Sequence, residues 1–150
     1  MKILREIGVI SRALDSIANI EFKECNLAKG QYLYLVRIVE QPGMIQEQLA
    51  DLIKVDKTTA SRAIKKLAAK GLIEQRTDTA NKKIKKLYPT TIGIAVNEFI
   101  LKEHRYSEKI ATKGLSAEEV EVLAYLLTKV RKNIDKDWHF VKKGQTRIYE

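Results

Sequence analysis

Cysteine, proline and long apolar runs are scarce in this chain of 150 residues, which contains one cysteine, two prolines and seven glycines. The single thiol, Cys25, excludes an internal disulfide and a cysteine-based metal cluster, and it is consistent with a reducing compartment. The longest apolar runs, such as residues 32–36, are far too short to cross a membrane. Charges at Lys2, Arg5 and Glu6 leave no apolar signal segment at the N-terminus. We therefore expect a cytoplasmic protein with no membrane partner.

Catalytic and cofactor-binding patterns are also missing from the sequence. His104 and His139 lie far apart, and neither has a cysteine or carboxylate cluster at the spacing of metal ligands. The sequence shows no nucleophile with a base and an orienting group, no glycine-rich phosphate loop and no paired carboxylates. It therefore predicts neither an enzyme nor a bound cofactor or metal.

Positive charge, in contrast, is plentiful and is concentrated in one segment. Lys and Arg number 28 against 19 Asp and Glu, which gives a formal net charge of +9. Residues 54–88 hold 11 of the basic residues and three of the acidic ones, so this segment carries +8 of the net charge. A focused positive field favours a polyanionic partner, although a solvated lysine-rich face would have the same composition.

Apolar periodicity predicts a mainly α-helical chain with one small β-hairpin, which is an α+β arrangement. Asp56 suits an N-cap, Gly71 suits the residue just beyond a helix end, and Ser116 with Glu119 forms a capping box. The predicted helices are residues 3–22, 31–40, 45–53, 57–70, 91–111 and 117 onward, and the predicted strands are Leu72–Arg76 and Ile84–Tyr88.

Two of the predicted helices, joined tightly at Lys54-Val55, form a helix-turn-helix. In this motif the second helix lies in the major groove of DNA, and its exposed face meets the bases. Arg62 is suited to bind a guanine, whereas Lys65 and Lys66 are suited to bind phosphates. An alternative role for Thr58 and Thr59 is only to help cap the helix. The apolar stripe of this helix is Ala60, Ala63, Ile64 and Leu67. The predicted DNA contacts on its other face are Lys57, Thr58, Thr59, Ser61, Arg62, Lys65 and Lys66.

The hairpin adds a second basic element beside this helix. Lys82 and Lys83 lie at its polar tip, and Lys85 lies on the return strand. A basic loop on a two-stranded stem can reach an adjacent minor groove, or its charges can simply prevent a strand edge from pairing with another chain. Because the neighbouring helix points to DNA independently, we predict that these three lysines contact DNA, together with Arg76 on the first strand.

A recognisable pattern lies in four segments, Gln48–Leu52, Val55–Arg62, Lys70–Arg76 and Leu87–Gly93, and at Leu67. Together these residues resemble the MarR family of bacterial transcriptional regulators. The resemblance implies a winged helix-turn-helix and an obligate homodimer, in which the N- and C-terminal helices of two protomers interleave. It also implies repression by occupancy of an operator, which a small ligand or oxidation relieves.

This resemblance also assigns the parts of the chain. We expect residues 31–91 to form the winged helix-turn-helix DNA-binding domain, and residues 1–30 and 92–150 to form the helical dimerisation region. Heptad-like apolar seams in the first and last helices suit such a dimer. These seams are Ile3, Ile7, Ile10, Leu14 and Ile17, and Val120, Leu123, Leu127, Val130 and Ile134.

The predicted β-hairpin, which corresponds to the wing of the family, departs from the family pattern at one point. The family commonly carries Asp-x-Arg there, and the Asp orients the Arg into the minor groove. The matching positions in this chain are Asn81 and Lys83. Because lysine is a flexible point charge and asparagine carries no charge, we expect a less rigid minor-groove contact.

The sequence offers few signals for an effector. Tyr32, Tyr34, Tyr106 and Trp138 are candidates to line an apolar pocket, or they are ordinary core and interface aromatics. Cys25 lies well beyond the position at which the peroxide-sensing branch of the family carries its reactive cysteine. We therefore expect an inert thiol, with a reactive thiol near Lys23 as the alternative, and we leave the identity of any small-molecule effector open.

Taken as a whole, the sequence predicts a DNA-binding transcriptional regulator. It would act as a homodimeric repressor on double-stranded DNA, at a pseudo-palindromic operator whose half-sites lie about 10 bp apart or a multiple of that spacing. One alternative is a non-specific architectural nucleic-acid-binding protein. Another is an adaptor whose basic face binds an acidic protein.

Overall fold

The computed structural model describes all 150 residues, which form six α-helices, a short 3₁₀ helix and a small sheet. No helix is both long enough and apolar enough to span a membrane. The elements in chain order are α1 (Lys2–Glu21), the 3₁₀ helix (Phe22–Cys25), α2 (Gln31–Glu40), β1 (Met44–Ile45), α3 (Gln46–Ile53), α4 (Lys57–Ala69), β2 (Ile73–Thr77), β3 (Lys85–Pro89), α5 (Thr91–Ala111) and α6 (Ala117–Lys142).

The chain divides into two compact units, Met1–Ser107 and Glu108–Glu150. The core of the first unit forms where α2, α3, α4 and the sheet bring their apolar faces together. Burying each large aliphatic side chain there contributes about 1.5–3 kcal/mol. The most deeply buried side chains are Phe22, Leu35, Ile38, Leu49, Ile64, Leu67, Leu87 and Ile100. The predicted stripe of α4 is confirmed, since Ala60, Ile64 and Leu67 are fully buried and Ala63 is partly buried.

The helix boundaries follow the local signals in the sequence. The Asp56 carboxylate accepts a hydrogen bond of 2.9 Å from the Thr59 amide, as an N-cap should. Gly71 follows α4 with a φ of +74°, a left-handed conformation that favours glycine. The capping box at the start of α6 is also present, with reciprocal hydrogen bonds between Ser116 and Glu119.

The sheet has three strands in the order β1-β3-β2, so the prediction of a two-stranded hairpin was incomplete. β1 pairs antiparallel with β3, with Met44 opposite Leu87. β1 has only two residues, which is too short to show the alternation that identifies a strand in a sequence. The two longer strands also begin and end one residue later than predicted, and Gln75 lies opposite Leu87 in their register.

The chain leaving α4 is held against the beginning of α5 by three hydrogen bonds. The Thr90 hydroxyl donates to the Gly71 carbonyl at 2.6 Å and accepts from the Gly93 amide at 3.0 Å. The Thr90 amide donates to the Leu72 carbonyl at 3.1 Å. A Cβ at Gly93 would lie 2.0 Å from that carbonyl oxygen, so only glycine permits this approach.

The second unit contains the end of α5 and the 26-residue helix α6. No residue of α6 is buried within one chain. Many of its large apolar side chains are exposed, as are those of α1 in the first unit. On α6 these are Val122, Leu123, Tyr125, Leu126, Leu127, Ile134, Phe140 and Val141, and on α1 they are Ile3, Leu4, Val9, Ile10, Leu14, Ile17 and Ile20.

We predict that Gly93→Ala lowers the free energy of unfolding by about 2 kcal/mol or more, because the added methyl group forces the backbone of Leu72 away. Urea denaturation followed by circular dichroism measures this change. Gly8→Ala is a matched control inside α1, where a Cβ meets only the mobile end of the Arg12 side chain. The control should be neutral or slightly stabilising, since alanine favours a helix. Equal effects of the two changes would contradict the prediction.

Candidate nucleic-acid interface

Helix α4 presents its polar and basic residues on the side opposite the core. The Asp56 cap fixes where the helix begins, and the buried stripe fixes how it is rotated. The arrangement therefore leaves a continuous polar surface along the helix. Its exposed members are Lys57, Thr58, Thr59, Arg62, Lys65 and Lys66, and Ser61 is half-buried at its border.

The tip of the wing, between β2 and β3, is shaped by backbone hydrogen bonds. The side-chain oxygen of Asn81 accepts from the Lys83 amide at 3.1 Å, and the Asn81 carbonyl accepts from the Ile84 amide at 3.0 Å. Asn81 therefore bends the backbone of the tip through an Asx-type turn. The side chains of Lys82, Lys83 and Lys85 remain exposed.

Arg76 lies on the wing but is engaged within it. Its guanidinium lies 3.1 Å from the Glu74 carboxylate and 4.1 Å from the centre of the Tyr88 ring. An exposed ion pair of this kind contributes little to stability, and a surface cation–π contact contributes about 0.5–1 kcal/mol. Both contacts nevertheless hold the Arg76 side chain along the sheet, whereas the side chains of the lysines at the tip are exposed.

The structure brings the wing and the start of α4 to one cavity of about 280 Å³. Lys57 contributes from α4, and Lys83 and Lys85 contribute from the wing. Gln46 and Glu47, at the start of α3, complete the polar lining. No motif in the sequence selects these two residues, because they reach the site only through the fold. Three ammonium groups against one carboxylate make this region attractive to an anion.

A second cavity, of about 790 Å³, lies beside α1 and the loop that follows the 3₁₀ helix. Asp15 and Asn19 belong to its wall, and none of the four aromatic residues considered as pocket candidates lines it. Its lining is Arg12, Asp15, Ser16, Asn19, Ile20, Lys23, Leu27, Ala28 and Lys29.

The four aromatic candidates lie in different surroundings. Tyr32 is buried, and its hydroxyl donates to Asp15 at 2.5 Å. Burial, followed by this hydrogen bond, raises the pKa of Tyr32 far above its usual value. Tyr34 is also buried, which raises its pKa, and the charge of Asp56 adds to the effect. Tyr106 is largely exposed, and Trp138 belongs to the second unit.

Cys25 and the two histidines have local structural contacts. Cys25 is half-buried, and this burial, with the nearby Glu24 charge, raises the pKa of its thiol and lowers its reactivity. His104 and His139 each place Nδ1 next to a backbone carbonyl oxygen one turn earlier in the helix, at 2.9 and 2.6 Å respectively. No group of three or more His, Cys, Asp or Glu side chains is arranged to hold a metal ion.

Known proteins that are similar to this chain in sequence and architecture bear the names of transcriptional regulators. An uncharacterised HTH-type transcriptional regulator from Bacillus subtilis, YybA, is 58% identical over 147 residues, which cover 98% of each chain. The crystal structure of a putative MarR family transcriptional regulator from Listeria monocytogenes, complexed with a 26-mer DNA, has 55% identity and a TM-score of 0.95 over 97% of each chain. The structure of a transcriptional regulator SlyA has 55% identity and a TM-score of 0.90 over 94% of this chain and 99% of the other.

A family sequence model matches most of the predicted DNA-binding domain. Residues 27–85 match the sequence model of the MarR family. The similarity to the SlyA and Listeria structures also confirms the predicted winged helix-turn-helix fold. At this identity and coverage, the chain belongs to the MarR family.

Proposed function

We propose that this chain is a sequence-specific transcriptional repressor that binds duplex DNA as a homodimer. The observation that carries the proposal is the exposed polar and basic surface of α4, from Lys57 to Lys66, opposite the buried stripe. The DNA-bound Listeria regulator, at 55% identity, supports the same activity for this chain. Two such helices related by a two-fold axis would read a pseudo-palindromic operator, with half-sites about 10 bp apart or a multiple of that.

The side chains of this surface differ in what they can recognise. Arg62 is exposed in the middle of α4, and its guanidinium can donate two hydrogen bonds to a guanine. The ammonium groups of Lys65 and Lys66 suit phosphates, which position the protein without reading the sequence. The remaining proposed contacts are Lys57, Thr58, Thr59 and Ser61 on α4, Lys82, Lys83 and Lys85 on the wing, and Arg76, which must leave Glu74 to take part.

The exposed apolar residues of α1 and α6 support a second copy of the chain as partner. Leu14 on α1 and Leu127 on α6 remain 40% and 44% exposed in one protomer. Such continuous apolar surfaces are typical of protein–protein interfaces. We therefore assign residues 31–91 to the DNA-binding domain, and residues 1–30 and 92–150 to the dimerisation region.

The remaining parts of the proposal concern location and regulation. We place the protein in the cytoplasm, as a regulator without enzymatic activity. The cavity of about 790 Å³ beside α1 is large enough for a small-molecule effector. An effector would act by shifting the population between forms of the dimer that bind the operator and forms that do not.

Selection of bound duplexes from a random-sequence DNA pool tests the function directly. A sequence-specific regulator should prefer the selected duplex over bulk DNA by about 10³ or more at fixed salt concentration. Uniform binding of all duplexes would instead support a non-specific architectural protein. No binding at low ionic strength would overturn both readings.

We predict that Arg62→Glu reduces affinity for the selected duplex by at least about tenfold, because it removes a base contact and places a negative charge in the groove. Fluorescence anisotropy of a labelled duplex measures the loss, and sedimentation confirms that the dimer persists. Arg105→Glu makes the same charge change at an exposed position of α5 and serves as the control. Equal losses for both variants would contradict direct readout by Arg62.

We predict that replacing Lys82 and Lys83 with alanine weakens binding to all sequences and flattens its dependence on salt. Each lost phosphate contact should lower the slope of log K against log [salt] by about 0.9. Titrations at several salt concentrations measure this slope. Lys86→Ala is the control, because this wing lysine already pairs with Asp78 at 3.8 Å. A changed base preference with an unchanged slope would refute the proposed role of the wing tip.

We predict that Leu127→Glu converts the dimer to monomers, since it places a charge in the proposed apolar interface. The chain itself should still fold, because this side chain is exposed within one protomer. Analytical ultracentrifugation measures the mass. Lys132→Glu, at an exposed polar position of the same helix, should leave the dimer intact. A dimer of Leu127→Glu as stable as wild type would count against this interface.

A further inference from the structure

Gln31, at the start of α2, is a buried polar side chain that the proposed DNA contacts do not explain. It is 3% exposed. Its Oε1 accepts two hydrogen bonds, one from the Ala28 amide at 2.9 Å and one from the Lys70 ammonium at 2.8 Å. The two donors fix the orientation of the amide, since the opposite orientation would place its NH₂ against two other donors.

Core packing alone does not account for glutamine at this position. The Nε2 group of Gln31 is buried without a hydrogen-bond partner. An unpaired buried donor is costly, and an apolar side chain of similar size would avoid that cost. We therefore look for the role of the glutamine in the two hydrogen bonds that its oxygen accepts.

The Gln31 oxygen binds the C-terminal end of α4. Lys70 is the C-cap of α4, and it is half-buried, whereas Lys65 and Lys66 are exposed. Its ammonium is directed to Gln31, which lies 39 positions earlier in the chain. Lys70 is thus engaged inside the protein, unlike the lysines proposed to bind phosphates.

The hydrogen bonds around Gln31 extend to α1. The Gly30 amide donates to the Asn19 side chain at 3.0 Å, and the Tyr32 hydroxyl donates to Asp15. Residues 30–32 therefore connect α1, through the start of α2, to the end of α4. A connected set of hydrogen bonds with two buried members, Gln31 and Tyr32, is well suited to fix a helix direction.

We propose that Gln31 is a positioning residue, which sets the direction of α4 by holding Lys70 and thereby determines how well the protein distinguishes its operator from bulk DNA. In this arrangement both residues are engaged with each other, and neither belongs to the proposed DNA contacts. The inference rests on the proposed function and adds to it a determinant of specificity outside the DNA surface. It also predicts that Lys70, although it lies in the basic segment, contributes no phosphate contact.

A double-mutant cycle on the full-length protein tests this inference. The variants are Gln31→Leu, Lys70→Met and the combination of the two. The probes are the duplex recovered by selection and a scrambled duplex of the same length and composition. Each single change should lower the ratio of the two affinities by about tenfold, and the double change should lower it no further, because both remove the same contact.

The salt dependence separates positioning from direct phosphate binding. The slope of log K against log [salt] should stay unchanged in Gln31→Leu and in Lys70→Met. Lys66→Met is the matched control one turn earlier on α4, where the ammonium is exposed. This control should lower the slope by about 0.9 and keep the affinity ratio near that of wild type.

A conservative variant and a stability measurement exclude a purely structural explanation. Gln31→Glu retains an acceptor for Lys70 and Ala28, so it should preserve the affinity ratio. Urea denaturation reports any loss of stability in each variant separately from the ratio. If Gln31→Leu does not fold, Lys70→Met still decides the question, because it removes the ammonium group and keeps an unbranched apolar side chain at this half-buried position.

Several results would overturn the inference. An unchanged affinity ratio in Lys70→Met, additive losses in the double variant, or a slope that falls by about 0.9 in Lys70→Met would each do so. If the wild-type protein binds no selected duplex, the proposed function fails and the inference fails with it. If the wild-type protein discriminates and the cycle is additive, only the inference fails.

Discussion

The Leu72 carbonyl lies so close to Gly93 that no side chain fits between them, and this contact fixes where α5 begins relative to the end of α4. It joins the segment that leaves α4 to the first turn of α5, and Thr90 bonds to both sides of the junction. Together with the burial of Ile100 in the core, it connects α4 and the wing to α5 by packing as well as through the chain. The orientation of the proposed DNA-binding helix is thereby tied to the first turn of α5.

Two further contacts limit the freedom of α4 at its ends. The Asp56 carboxylate closes the N-terminal end, where hydroxyl and basic side chains begin the exposed surface. The Lys70 ammonium closes the C-terminal end by bonding to Gln31. The charges between these ends are exposed, whereas the groups that hold the helix are engaged. In the proposed interface, this division separates affinity for DNA, which the exposed cations would supply, from the direction in which those cations are presented.

Structural features that depend on residues close together in the sequence could be predicted, whereas features that depend on contacts between distant residues could not. The caps at Asp56 and Ser116 and the turn at Gly71 act within a few residues, so their patterns are visible. The MarR resemblance, confirmed by the comparisons, supplied the winged fold. Strand β1, by contrast, exists only because β3 returns beside it, and Gln31 gains its role from a lysine far along the chain. The cation–π contact between Arg76 and Tyr88 likewise depends on the pairing of β2 with β3.

The pairing of β1 with β3 also has a consequence for the entropy of association. Because Met44 and Ile45 are already bonded to the return strand, the stem of the wing is ordered in the free protein. The ladder between β2 and β3 ends at Thr77 and Lys85, and the Asp78 amide donates to the Ile84 carbonyl just beyond it, so residues 79–83 lie outside the paired stem. The conformational entropy lost when the wing settles on a ligand is therefore confined to a few residues at its tip.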